Sequence, residues 1–254
     1  MNRLLERIAP VGFGVAVLAA WQCAVWATGT PKYVVPGPWD IVTAYAASSG
    51  ELNAALLSTL TVTFAALAAA AFLGVVLAVA MAASVLLRAA IQPWAVALQV
   101  TPLVAIAPLI ILWVNQAFAA LVICATIISF FPILANTAAG LAQTPAALLD
   151  LFKLNGASRW QTLLLLRLPS AVPNFLTGLR ISGTLALVGA VVAEFVAGSG
   201  GFASGLAYRI IEAGYRLQIP RMFAALVLLA ITGIFIYAAL GLLSLLLLRR
   251  RNSA

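Results

Sequence analysis

Apolar residues in this chain are gathered into runs too long for any strand, separated by short polar breaks. A helix that crosses a bilayer needs roughly 20 mostly apolar residues, and a barrel strand would alternate apolar and polar positions. Six runs meet the helical requirement, at about 10–27, 56–87, 94–114, 117–141, 172–197 and 223–248. The pattern predicts an all-α integral membrane protein with six transmembrane helices. The first run follows the basic residues Arg3 and Arg7 and imitates a secretory signal. It is long for one and lacks a clean A-x-A site, so it reads as an uncleaved anchor within residues 1–30. The second run is dense in alanine and contains Gly74, which suits close helix packing; Arg88 ends it. The third contains Pro102 and Pro108, read either as packing kinks or as residues lining a pathway. Asn115-Gln116 is a tight turn before the fourth run, which holds Pro132, and the sixth ends in Arg249, Arg250 and Arg251.

Two of the polar intervals are organised. Between the fourth and fifth runs, Thr144 is a good N-cap and Pro145 fits a first helical position. Leu148, Leu151 and Leu154 share one face of the resulting short helix, with Asp150 and Lys153 turned away. Gly156 suits the left-handed residue that stops a helix, and Ser158-Arg159-Trp160-Gln161 fits a capping box that starts the next one. Pro169 is expected to end that second helix. A plain linker needs no such order; the interval reads as an element built to be gripped. After the fifth run, residues 198–205 read as a flexible joint and 206–215 as an amphipathic helix. Arg209, Glu212 and Arg216 lie on one side of it, Leu206, Ile210 and Ala213 on another. It fits an interfacial helix, part of an outer gate, or a docking surface for a substrate-delivering protein, with Arg209 and Arg216 as the docking charges.

Glu194 is the only acid inside an expected span. Intramembrane ionisable residues face a cavity or a partner, so it is read as a gate-lining hydrogen-bonding group, a solvated helix-end group or a substrate contact. Arg180, 14 residues earlier on the same helix, lies about 21 Å away and cannot pair with it if that helix is straight; it is expected to snorkel at the inner end.

Composition sharpens the picture by exclusion. Of 254 residues, 65% are apolar and 8% charged, and the mean hydropathy is +1.14. A soluble domain carries about 25% charged residues, so soluble, disordered, coiled-coil, collagen-like and disulfide-scaffold classes are excluded. The chain has no histidine, which removes His catalysis, His metal sites and His pH switches, and no metal site is expected. Cys23 and Cys124 lie in apolar runs and read as buried core residues. The only lysines, Lys32 and Lys153, do not follow glycine, so the chain carries no phosphate-binding Gly-Lys-Ser/Thr loop and no ATPase site. The net charge of +8 does not point to nucleic acid, because the basic residues sit at helix ends. With the N-terminus inside, nine fall on inner segments (Arg3, Arg7, Arg88, Lys153, Arg159, Arg167 and Arg249–Arg251) and four on outer ones (Lys32, Arg209, Arg216 and Arg221). That asymmetry places both termini in the cytoplasm.

The spacing Asp150-x5-Gly156-x9-Leu166-x-Leu168-Pro169 resembles the EAA signature of bacterial ABC-importer permeases, E-A-A-x3-G-x9-I-x-L-P. It departs in Asp150-Leu151-Phe152 for Glu-Ala-Ala and in Leu166 for Ile. Val35-Pro36-Gly37-Pro38, the stretch from Pro102 to Trp113, Phe131 to Thr137, Leu168 to Pro173 and Thr177-Gly178-Leu179-Arg180 are similar to the nitrate/sulfonate/taurine type of permease. That group includes permeases for thiamine-pyrimidine and riboflavin precursors. The run Leu187 to Gly198 resembles the vitamin-precursor branch more closely. The resemblance covers about residues 33–250 and implies a type I ABC importer permease fold over 31–254. Its coupling segment would be 144–169, with Asp150, Gly156, Ala157, Ser158, Arg159, Leu168 and Pro169 engaging a separate cytoplasmic ATPase. It further implies a homodimer, an extracytoplasmic binding protein, ATP and magnesium held by the ATPase rather than by this chain, and residence in a bacterial inner membrane. Pro102, Pro108 and Glu194 are then candidates for the translocation pathway. An ion-coupled secondary transporter using Glu194 is the alternative. An intramembrane enzyme would need a histidine or an acid pair within the spans.

Overall fold

Helix boundaries in this chain follow caps and prolines more closely than they follow hydropathy. The computed structural model describes residues 2–198 and 204–252, and every regular element among them is helical. Helix α1 spans Asn2–Thr28 and α2 spans Pro38–Ala83. The apolar run predicts that α2 begins near residue 56; the helix starts 18 residues earlier. Pro38 occupies its first turn, and the Asp40 carboxylate accepts the Gly37 N–H at 3.2 Å. Ser48, at φ −122° and ψ 19°, kinks the helix within its polar first part. At the other end Ser84 takes extended geometry and accepts the Leu87 N–H at 3.4 Å, so α2 stops before the expected 87 and α3, Val85–Val100, begins.

The third span is corrected as well. It is not one kinked helix over 94–114 but two, α3 and α4 (Leu103–Trp113), bent by 102°. Proline disfavours helical geometry in the residue before it, and Thr101 accordingly lies at φ −73°, ψ 124°. Pro102 stands at the break as the cap of α4, and Pro108 lies inside α4. Helix α5, Ala117–Ala142, follows the fourth run closely. Then come α6 (Ala146–Leu154), α7 (Arg159–Thr162), a π-helical turn (Leu163–Arg167), α8 (Leu168–Ala197), α9 (Leu206–Tyr215) and α10 (Ile219–Asn252). Most of the expected joint at 198–205 lies outside the described residues; Gly198 closes α8 in the left-handed region.

Five described helical segments are long and apolar enough to cross a membrane, and the bent pair α3–α4 would supply a sixth crossing. The centre of the bundle is α2, α5 and α8. Glycines let their backbones touch: a Cβ on Gly178 would lie 2.7 Å from the Pro132 carbonyl oxygen, and one on Gly189 2.8 Å from Ala125 Cα. Between those contacts the buried Ser182 hydroxyl donates to the Ser129 carbonyl at 2.5 Å. The core lies in three layers along the bundle. One, with Met81, Leu141, Leu163 and Ala171, sits by the α6–α7 end. A middle layer holds Val62, Leu121, Ala125 and Ala190, and the last packs Leu52 and Ala55 against Leu206, Ile210 and Ala225. Helix α1 stands apart. It is attached through Gln22, which accepts the Trp39 N–H at 3.0 Å, and Trp21, whose ring lies 6.2 Å from that of Phe223. Its Cys23 is therefore exposed, against expectation, whereas Cys124 is buried.

Candidate functional site

The candidate residues fall into two groups. Helix α8 has 30 residues, about 45 Å at 1.5 Å per residue, and joins one group at its start to the other at its end.

The first group is the segment from α6 into α8. Pro145, not Thr144, is the N-terminal cap of α6. Thr144 is buried and donates its hydroxyl to the Leu141 carbonyl at 3.2 Å, closing α5 instead. Gly156 has φ +71°, the Gly156 N–H donates to the Lys153 carbonyl at 3.0 Å, and the Ala157 N–H donates to the Phe152 carbonyl at 3.0 Å. Together these bonds form a Schellman motif, which turns the chain sharply between α6 and α7. Ser158 then caps α7 in the expected way: its hydroxyl accepts the Gln161 N–H at 3.2 Å, and its own N–H donates to Gln161 Oε1 at 2.7 Å.

Pro169 does not end the helix that follows. It has no N–H to donate and its ring crowds the carbonyl four residues back, but the chain widens by one residue instead of breaking. The Leu168 N–H donates to the Leu163 carbonyl, and the helix runs on from α7 through the π turn into α8. Leu163 and Leu166 of this turn enter the core, and Arg167 donates to the Ala82 carbonyl at 3.4 Å. The rest stands out. No residue of α6 or α7 is buried; Leu148, Leu151, Trp160, Leu164 and Leu165 are exposed, and Leu154 is 87% exposed. Asp150 pairs with Lys153 at 3.1 Å in the open, away from the leucine face. Arg159 is exposed on α7. The segment is an exposed, largely apolar surface that continues through α7 and the π turn into a central helix.

The second group lies at the far end of α8. Glu194 is 3% exposed, so the solvated helix-end reading is corrected: the side chain is buried. Thr59 of α2 donates its hydroxyl to Glu194 Oε1 at 2.8 Å, and the Ala207 N–H donates to Oε2 at 3.1 Å. The Leu206 N–H donates to Thr59 Oγ1 at 2.9 Å. Beyond this, α9 carries the expected charges in a network. Arg209 pairs with Glu212 at 2.8 Å and with Glu51 of α2 at 3.7 Å; Arg216 pairs with Glu212 at 2.9 Å, and Arg221 pairs with Glu51. The hydrogen bond from Arg209, helped by the charges of Arg209, Arg216 and Arg221, holds the Glu212 carboxyl below the usual carboxylate range against the opposing effect of burial. The Arg209 side chain is 24% exposed, that of Arg216 60%.

Pro102 and Pro108 are exposed at and beside the α3–α4 elbow. Their neighbours Leu103 and Ala107 pack with Ala190 and Ala193, beside Glu194 on α8. Arg180 does not stand free at a helix end; its guanidinium stacks on Tyr237 of α10 at 3.8 Å. Sequence reasoning passed over Thr59, Gly205, Glu51 and Arg221. A weak signal existed for the first two: α9 opens on glycine, with no capping side chain of its own.

Residues 70–252 match the family model described as the binding-protein-dependent transport system inner membrane component. The chain is 35% identical over 254 residues to the riboflavin transport system permease protein RibX of Chloroflexus aurantiacus, covering 97% of this chain and 93% of that one. It is 32% identical over 253 residues to the formylaminopyrimidine transport permease protein ThiX of Halalkalibacterium halodurans, covering 99% of each. It is 34% identical to a probable ABC transporter permease protein of Haemophilus influenzae, over 92% of this chain and 93% of that one. Among solved structures, the crystal structure of an amino acid ABC transporter with histidines matches with a TM-score of 0.64 at 19% identity. It covers 78% of this chain and 95% of that one, a likeness of fold.

Proposed function

The chain belongs to the inner membrane components of binding-protein-dependent transport systems, and we propose that the solute it imports is a vitamin precursor of the flavin or pyrimidine class. As a permease of an ABC importer it is a multi-pass membrane protein that works with an ATPase subunit and a substrate-binding protein. The vitamin-precursor class is supported by relatives for riboflavin and formylaminopyrimidine at 32–35% identity, against 28% for an aliphatic sulfonate permease of Bacillus subtilis. Sulfonate, nitrate and taurine are the competing solutes.

The observation that carries the mechanism is the bare α6–Gly156–α7 surface fused through a π turn to α8. Leu148, Leu151 and Leu154 are exposed there, and an apolar face of this kind standing out from the bundle fits a groove on another protein. In the reading proposed, this is where the ATPase grips. Closure of two ATPase subunits around ATP and magnesium, both bound by those subunits, displaces the segment. Helix α8 carries the displacement to the other face of the membrane, switching an outward-facing cavity to an inward-facing one. The chain itself does no covalent chemistry. Two copies of it enclose the cavity. Both termini and the α6–α7 segment face the cytoplasm, and α9 faces outward to meet the binding protein through Arg216 and, behind it, Arg209. Glu194 has both its oxygens engaged by the protein, which leaves little support for an ion-coupled carrier built on it.

The deciding experiment is a binding survey on the partner binding protein with riboflavin, formylaminopyrimidine, alkanesulfonates, taurine and nitrate. It is followed by ATP-dependent uptake of the ligand in vesicles holding permease and ATPase. Binding of a flavin or pyrimidine with uptake that needs all three components is expected. Binding confined to sulfonates, taurine or nitrate would overturn the solute class. ATP hydrolysis by the rigorously purified permease alone would overturn the division of labour.

A further inference from the structure

Helix α9 begins without a cap of its own. Gly205 stands at its N-terminal cap position and offers no side chain to the exposed donors of the first turn. Two of those donors are nevertheless satisfied. The Leu206 N–H reaches Thr59 Oγ1 at 2.9 Å, and the Ala207 N–H reaches Glu194 Oε2 at 3.1 Å. The cap is therefore assembled from two other helices, α2 and α8, and Thr59 ties its halves together by donating to Glu194 Oε1 at 2.8 Å. Thr59, Glu194, Leu206 and Ala207 are all buried, so water does not compete for these bonds. The fit is tight. A Cβ on residue 205 would fall 2.0 Å from Glu194 Oε1 and 2.2 Å from its carboxyl carbon. Glycine is needed there not for its dihedrals, since φ is −80°, but because the carboxyl group fills the space a side chain would take.

The helix thus fastened is the one that carries Arg209, Glu212 and Arg216. Its contact with Glu51, made by Arg209, is long at 3.7 Å and ends on a half-exposed carboxylate, where a single ion pair holds weakly. The buried attachment at its first turn is made to the same α8 that begins at the α6–α7 segment. We infer that Glu194, with Thr59 and Gly205, is a positioning residue for import: it clasps α9 to α2 and α8 so that a protein seated on α9 acts on the spans. This rests on the reading that α9 receives the binding protein. It assigns Glu194 neither to the solute nor to a coupling ion.

The chemistry distinguishes the variants. Glu194→Ala removes one acceptor pair, and Thr59→Val leaves the Leu206 N–H without a partner. Gly205→Ala expels the carboxyl group while leaving both spans unaltered. Glu194→Gln can keep the clasp, with its oxygen on Ala207 and its amide on Thr59, because the Thr59 hydroxyl can turn fully to the Ala55 carbonyl, already 3.3 Å away. Thr59→Ser keeps it too.

The test uses the assembled permease–ATPase complex in lipid nanodiscs. ATPase rate is measured without and with the system's binding protein, supplied in turn with riboflavin, formylaminopyrimidine and an alkanesulfonate. The readout is the ratio of stimulated to basal rate, because a general loss of folded complex lowers both rates and leaves the ratio alone. Expected are a ratio near unity for Glu194→Ala, Thr59→Val and Gly205→Ala, and wild-type ratios for Glu194→Gln and Thr59→Ser. A wild-type ratio in Glu194→Ala or in Gly205→Ala overturns the inference, whether or not total activity falls. Should Glu194→Ala fail to assemble, Gly205→Ala decides alone. If the wild-type complex is not stimulated by its binding protein with any of the three probes, the reading of α9 as the receiving surface falls and takes the clasp's role with it. Stimulated wild type with equally stimulated variants sinks the clasp alone.

Discussion

At Gly156 the demand is on the backbone alone. A Cβ there would meet nothing within 4 Å, yet φ is +71°, a region L residues enter at a cost. The expected order of function is therefore Gly156→Asn above Gly156→Ala above Gly156→Val, since Asn tolerates left-handed geometry and a β-branched residue does not, with a penalty of roughly 1–3 kcal/mol for the last. The measurement is co-purification of the ATPase with each variant, alongside uptake in cells. All three should remain in the membrane, because insertion follows hydropathy; equal function in all three would remove this turn from the coupling element. Asp150→Ala should be mild by comparison, since its pair with Lys153 is exposed on both sides and worth about 1 kcal/mol or less. The two outer arginines should likewise part company. Arg216, 60% exposed, is placed to meet a partner, and Arg216→Ala should slow association of the binding protein and weaken its salt dependence. Arg209, held between Glu212 and Glu51, should matter for the order of α9 itself, and Arg209→Ala should raise amide exchange along α9. Reversed phenotypes would place docking on the buried side of the network. The left-handed Gly156 was legible in sequence because such a residue announces itself locally. The engagement of Glu194 was not, because its partner Thr59 lies 135 residues away on another helix.

For whole elements, legibility depends on what sets the boundary. Helices α5 and α9 end where the sequence says, since a turn or glycine bounds each of them. Helix α2 outruns its apolar run because Pro38 and Asp40 can start a helix in polar sequence, and hydropathy is blind to that. The third span breaks into α3 and α4 because Pro102 acts on Thr101, whereas Pro169 breaks nothing. The difference is what surrounds each proline. Leu163 and Leu166, in the turn before Pro169, are buried and hold the helix in line, so the defect is absorbed as a π turn. Such turns are frequent at functional sites, and this one lies between the surface proposed to meet the ATPase and a central span. Pro169→Ala restores a donor and removes the crowding, so the turn should relax to regular α geometry. One fewer residue in the π turn rotates α6 and α7 by about 100° about the helix axis relative to α8, since each residue of an α-helix turns the chain by that angle. The expected outcome is a permease that inserts and binds solute-loaded binding protein but transports fewer solute molecules per ATP. An unchanged transport-to-hydrolysis ratio would show that the π turn is a packing accommodation and not part of the transmission.

On the scale of the whole molecule, one length decides the arrangement. Helix α8 is about 45 Å long by its 30 residues, and the hydrocarbon core of a bilayer is about 30 Å thick. If α8 spans, the segment at its start and α9 at its end are expected on opposite faces of the membrane, whichever face is inside. The inside is chosen by charge. In the six-span topology proposed, nine basic residues fall on the side of the termini and of Gly156 and four on the side of α9, and the excess is expected to keep the first side in the cytoplasm. Single cysteines can read both statements, provided the exposed native Cys23 is first replaced by serine; Cys124 is buried and can stay. In that background Ser158→Cys reports the α6–α7 side, and Tyr215→Cys, at a position 87% exposed, reports the α9 side. With an impermeant maleimide added to intact spheroplasts, Tyr215→Cys should label at once and Ser158→Cys only after the membrane is opened. Labelling of both from one side would contradict the fold, because α8 would then not span. The reverse pattern would keep the fold and invert the protein, moving the ATPase-gripping surface to the face where no ATP is available and ending the proposed mechanism.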